Sequence, residues 1–235
     1  VRRSTGAAAV ALLAVVAACG DLRDDLLRAD AVRRAAIDVN TDGCGPRVGI
    51  GAGAMIDERL AVTAAHVVAG ASAIEIHDTE GRTTTADVVS FDPDIDLAVL
   101  RTADAVGTAI PVRPEEATAG ESGVVALPRR GGDAFDVELV PMHVLRTVTI
   151  RTTDIYLEDP VERAGFEIEA TVDRGDSGSV VVLRNGAVGV VWARSNQRDA
   201  HAWAVDLPAE LADPTARAAL ADPATPTADV GECIR

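Results

Sequence analysis

At 235 residues, 48% hydrophobic and 25% charged, the chain carries enough apolar material for one large or two small packed units and does not have a disordered composition. A formal charge of -15 excludes the basic footprint that nucleic-acid binding needs, because an acidic surface repels phosphates. All 22 basic residues are arginine, a bias of composition to which no site is attached.

In chain order, residues 1–18 read first, as an export signal. Arg2 and Arg3 precede an uncharged, mostly apolar stretch to Ala18 that is too short for a comfortable permanent span. The ending Val16-Ala17-Ala18-Cys19 resembles the lipobox of bacterial lipoproteins. That resemblance implies a diacylglycerol on Cys19, a membrane anchor through it and a location on the cell envelope; the alternative is a plain secretory signal with Cys19 incidental. Three cysteines are odd for an exported chain, but with Cys19 lipidated, Cys44 and Cys233 remain as one possible disulfide or as two unpaired thiols.

Residues 19–42 are expected to form a tether. Within them Leu22, Leu26, Leu27 and Val32 are spaced roughly as one face of a short amphipathic helix. From Gly43 the texture becomes β-like. Apolar residues alternate at Ile74 and Ile76, at Val148 and Ile150, and at Phe166 and Ile168, the period of half-buried strands. "SVVVLRNGAVGVVWA" predicts a hairpin, with Asn185-Gly186 as a type I′ turn. A polar break around 113–121 divides this region into portions at 43–112 and 122–208, so an all-β fold of two small barrels is expected. Residues 209–235 read as a tail with one or two helical turns, then an extended surface segment.

"TVDRGDSGSVVV" poses the functional question, since a serine between two glycines at the mouth of an apolar strand is either a tight turn or a nucleophile held on a bend. A nucleophile needs a base. Of four histidines, His77, His143 and His201 lie in or beside β-like runs and read as structural, whereas His66 ends a run of small residues, "AVTAAH". The orienting acid is sought in "FDPDIDLAVL". Asp96 directly precedes the apolar run and is the acid most readily drawn inside, where a histidine N–H would offset its burial.

"TAAH", "DIDLAVL" and "GDSGS", in that order, resemble the signature segments of the chymotrypsin-type serine peptidases, and most of all the bacterial trypsin-like branch. The resemblance covers roughly residues 45–210. It implies two six-stranded antiparallel barrels and a Ser177–His66–Asp96 triad, with the Gly175 and Ser177 N–H groups as the oxyanion hole. It also implies a primary pocket edged by Thr171, Val172, Val191, Ala193 and Arg194, suited to small or medium apolar side chains, with Arg194 able to reach in and prefer an acid. Asp176 is expected to pair with an internal arginine or with backbone donors, so that the site forms without propeptide cleavage. The function implied is an exported, lipid-anchored serine endopeptidase acting on protein or peptide substrates, with no cofactor or metal. The alternative is a catalytically silent peptidase-like binding or sensing module.

Overall fold

The computed structural model describes residues 28–45, 48–131 and 134–234; the expected signal segment, Cys19, Leu22, Leu26 and Leu27 lie outside them. A helix, α1, occupies 28–35, and twelve strands follow in two closed antiparallel barrels. The first contains β1 (Ala36–Asp42), β2 (Gly49–Met55), β3 (Leu60–Thr63), β4 (Ala73–Asp78), β5 (Thr83–Asp92) and β6 (Leu97–Thr102), arranged β1-β2-β3-β6-β5-β4. The second contains β7 (Ser122–Gly131), β8 (Ala134–Thr153), β9 (Pro160–Glu169), β10 (Val180–Leu183), β11 (Gly186–Arg194) and β12 (His201–Asp206). Its order, β7-β8-β9-β12-β11-β10, repeats that of the first, although no repeat is visible in the sequence.

The strands beside the junction are buried on both faces, which explains their unbroken apolar runs. In β6, Ala98 and Leu100 point into the first barrel, while Leu97 and Val99 join a cluster shared between barrels. In β10, Val181 fills the second barrel while Val180 and Val182 face that shared cluster. Alternation survives where one face is wet, as in β4, where Ile74 and Ile76 are buried and Ala73 and Glu75 exposed.

Three expectations need correction. The first barrel begins at Ala36 rather than at 43, because α1 stops there and β1 pairs with both β2 and β4, closing the ring. The β10–β11 hairpin is present, but Leu183 pairs with Gly186, so Arg184 and Asn185 form the loop. Neither has a positive φ, and the turn is therefore not type I′. The shift has a tertiary cause: the Ala187 N–H donates to Pro111 O at 2.9 Å, and a Cβ on Gly186 would meet that oxygen at 2.3 Å. The connection between the barrels is also longer than 113–121, running from Thr102 to Ser122. Arg113, buried within it, is clamped to Glu121 at 2.7 Å, and this contact drives the Glu121 carboxyl down to about 2.

The tail forms a short turn at Ala209–Ala212 and helix α3 (Pro214–Ala221), then runs along the first barrel as a strap. Arg101 Nη1 donates to Asp222 O at 2.6 Å and Thr225 O at 2.9 Å, and Gly70 N donates to Val230 O at 2.9 Å. A Cys44–Cys233 disulfide ends the strap and ties residues 189 apart.

Candidate active site

His66 lies in the four-residue helix α2 (Ala65–Val68), which β3 delivers at its end after Thr63 and Ala64. Asp96 ends the β5–β6 turn. The Asp92 carboxylate organises that turn by accepting from the Asp94 and Ile95 N–H groups at 3.0 and 3.1 Å. Asp96 itself has a φ of 62°, a left-handed conformation seldom taken by a residue with a side chain, and one that turns its carboxylate inward. His66 Nδ1 lies 2.8 Å from Asp96 Oδ2 and 3.0 Å from Oδ1, and the His66 backbone N–H donates to Oδ1 at 2.9 Å. The carboxylate can only accept, so Nδ1 carries the proton and Nε2 is left as an acceptor. Asp96 is buried, whereas the His66 side chain remains 29% exposed and so presents an open edge.

Ser177 comes from the second barrel, on the turn that enters β10. Asp176 knits this turn together. Its Oδ2 accepts from Asp173 N at 2.8 Å, its carbonyl accepts from Ser179 N at 3.0 Å, and Arg129 Nη1 donates to Oδ1 at 3.1 Å. Asp176 is thus paired with both an internal arginine and backbone donors. The turn is pressed onto the first barrel at β2 and at the end of β3, the strand that leads to His66: Ala52 N donates to Ser177 O at 2.7 Å, and Thr63 Oγ1 donates to Ala52 O at 2.6 Å. Only glycine fits at 178, where φ is 92° and a Cβ would lie 1.9 Å from Ala52 O. Gly175 has the same φ of 92°. Among the described residues the N–H groups of Gly175 and Ser177 have no hydrogen-bond partner, nor has Ser177 Oγ.

Beside Ser177 is a pocket of about 170 Å³ lined by Val172, Val191, Trp192 and Ala193, with Asp173, Arg174 and Arg194 also contributing. Thr171 does not contribute. Burial alternates there, with Thr171 exposed while Ala170 and Val172 are buried. Arg194 is held at the rim by Asp173, at 3.2 Å. The other histidines pair locally: His77 with Thr83 at 3.2 Å, His143 with Ser122 at 2.9 Å and His201 with buried Glu167 at 2.8 Å.

Asp173 and Arg174 were not singled out in the sequence, although each adjoins a residue that was; Trp192 lies within the segment 190–194, "VVWAR", expected to line the pocket. Arg163 had no signal at all. It projects from β9, in the opposite barrel, with Nη1 3.9 Å from Asp96 Oδ2.

Two like-wound barrels, with a histidine–carboxylate pair on one and a serine turn of the other docked beside it, define a trypsin-like peptidase fold. Residues 51–190 match the trypsin-like peptidase domain, and the chain belongs to that family. The serine protease Rv3671c of Mycobacterium tuberculosis is 33% identical over 144 residues, 60% of this chain and 35% of the relative, so the chain spans about a third of that curated protein. The crystal structure of the active form of the M. tuberculosis Rv3671c protease matches with a TM-score of 0.72 at 24% identity, covering 88% of each chain. An inactive form matches with a TM-score of 0.62 at 24% identity, over 75% of this chain and 85% of the other.

Proposed function

We propose that this chain is an exported, lipid-anchored serine endopeptidase that cleaves peptide bonds through an acyl-enzyme on Ser177. The observation that carries the reading is the buried Asp96 carboxylate on His66 Nδ1, 2.8 Å away, beside a serine turn anchored to the same barrel at Ala52. In this reaction His66 Nε2 takes the Ser177 hydroxyl proton as Oγ attacks the scissile carbonyl. Asp96 stabilises the imidazolium that results. The negative charge on the carbonyl oxygen is received by the unengaged N–H groups of Gly175 and Ser177, each worth about 3 kcal/mol in a water-poor site. His66 then protonates the departing amine, and water releases the acyl group by the reverse sequence.

The Asp176–Arg129 pair supports a serine turn assembled without propeptide cleavage. Val172, Val191 and Ala193 favour a small or medium apolar side chain in the pocket, and Asp173 offsets the charge of Arg194 at its mouth. The disulfide fits an oxidising compartment, and the sequence around Cys19 fits a lipid anchor. A fluorophosphonate probe should label the wild type on Ser177 but neither Ser177→Ala nor His66→Ala. An unlabelled, folded wild type would instead favour the binding-module reading. Mass spectrometry of membrane-extracted protein should find diacylglycerol on Cys19.

A further inference from the structure

Arg163 is 3% exposed, yet it is neither a surface ion pair nor part of an apolar cluster. It spans the junction between the barrels. Its Nε donates to Asp94 O at 2.9 Å, its Nη1 lies 3.9 Å from Asp96 Oδ2, and its Cζ sits 4.4 Å from the centroid of the Trp192 ring. Among the described residues its buried Nη2 has no hydrogen-bond partner. Burying a guanidinium with an unmet donor is costly, so a fold that merely needed filler here would do better with an apolar side chain. The three contacts converge on two functional parts. Asp94 and Asp96 belong to the turn whose left-handed residue presents the carboxylate to His66, and Trp192 is a wall of the substrate pocket.

We infer that Arg163 is a positioning residue for the His66–Asp96 pair, fixing the Asp96 turn from the opposite barrel and joining it to the pocket wall at Trp192. The inference rests on the catalytic reading of Ser177, His66 and Asp96. The cation shares the Asp96 carboxylate with His66, so it tempers how strongly that carboxylate favours the imidazolium. Burial lowers the Arg163 pKa, opposed by the charges of Asp96, Asp92, Asp94 and Asp154, but a guanidinium remains protonated throughout the working range of a histidine. Those carboxylates are the other charged groups facing Arg163. They are the same in every variant below, so a difference between variants reports the cation.

The test is titration of the His66 ring by ¹⁵N NMR in the full chain, alongside the pH profile of kcat/KM on a peptide substrate. Arg163→Met should move the acid limb of the profile, and the ring titration with it, toward higher pH. Arg163→Lys should restore both, because it returns the charge. If the methionine variant does not fold, Arg163→Gln, which keeps a donor for Asp94 O, replaces it with the same expectation. A His66 titration and an acid limb that both superimpose on the wild type in the neutral variants would overturn the inference and leave Arg163 a packing residue. A wild type that neither labels nor cleaves would sink the catalytic reading, while the NMR titration would still decide whether Arg163 acts on His66.

Discussion

Replacing Cys44 and Cys233 together with serine removes a link between residues 189 apart. In the chain-entropy description, a loop of that length restricts the unfolded state by about 5 kcal/mol at 25 °C. The folded state loses little, because the strap remains held by Arg101 on Asp222 and Thr225, by Val88 O on Ala228 N and by Gly70 N on Val230 O. The double variant is therefore expected to be about 3–5 kcal/mol less stable than the oxidised wild type. Urea unfolding followed by the fluorescence of Trp192 and Trp203 measures the difference. With a slope of about 2–3 kcal/mol/M, the midpoint should fall by about 1–2.5 M. Both cysteines are exposed, so reduction of the wild type should give the same shift without substitution. A midpoint that moves by less than about 0.3 M, in variant and reduced wild type alike, would refute the loop-closure argument.

Gly178→Ala should cost about 2 kcal/mol or more, since the left-handed backbone penalises a Cβ and that Cβ meets Ala52 O at 1.9 Å. Its stronger effect is on labelling of Ser177, which should fall sharply in protein whose far-UV spectrum is unchanged, as the turn backs away from the first barrel. Asp96→Asn should lower kcat/KM on a peptide substrate by about 10⁴-fold, because an amide in place of the carboxylate supports the wrong imidazole tautomer. A loss under tenfold would contradict the role given to the carboxylate. Asp206 titrates at about 6, raised first by burial and then by Glu116. The unfolded chain thus ionises this group before the folded one does, so its contribution to stability is complete below about pH 4, declines as pH rises to about 6 and is absent above. Asp206→Asn should remove that decline and, at pH 8, exceed the wild type by at most about 3 kcal/mol in denaturant melts.

Much of the fold could be read before any coordinates. Alternation at Ile74 and Ile76 marked β4, because a strand with one wet face writes its period into the chain; alternation at Phe166 and Ile168 marked β9 although Glu167 between them is itself buried, paired with Arg146 and His201. The residues around His66, Asp96 and Ser177 were legible too, as small residues, an acid before an apolar run and a glycine-flanked serine each answer a local backbone demand. Helix and strand boundaries near 36 were not, since β1 exists only by pairing with β2 and β4. The turn at 184–185 escaped for a similar reason: Pro111, far away in the chain, claims Ala187 and moves the hairpin by one residue.

The sequence alone therefore determined the candidate residues of the site and the period of the strands, both of which depend on near neighbours. Only the tertiary structure decided that Thr171 turns away from the pocket, that Trp192 walls it, and that Arg129 holds Asp176. It also decided that Arg163 stands behind Asp96 from the other barrel. Those facts depend on which surfaces two separately closed barrels press together, and contacts across such a junction leave no periodic mark in either partner's sequence.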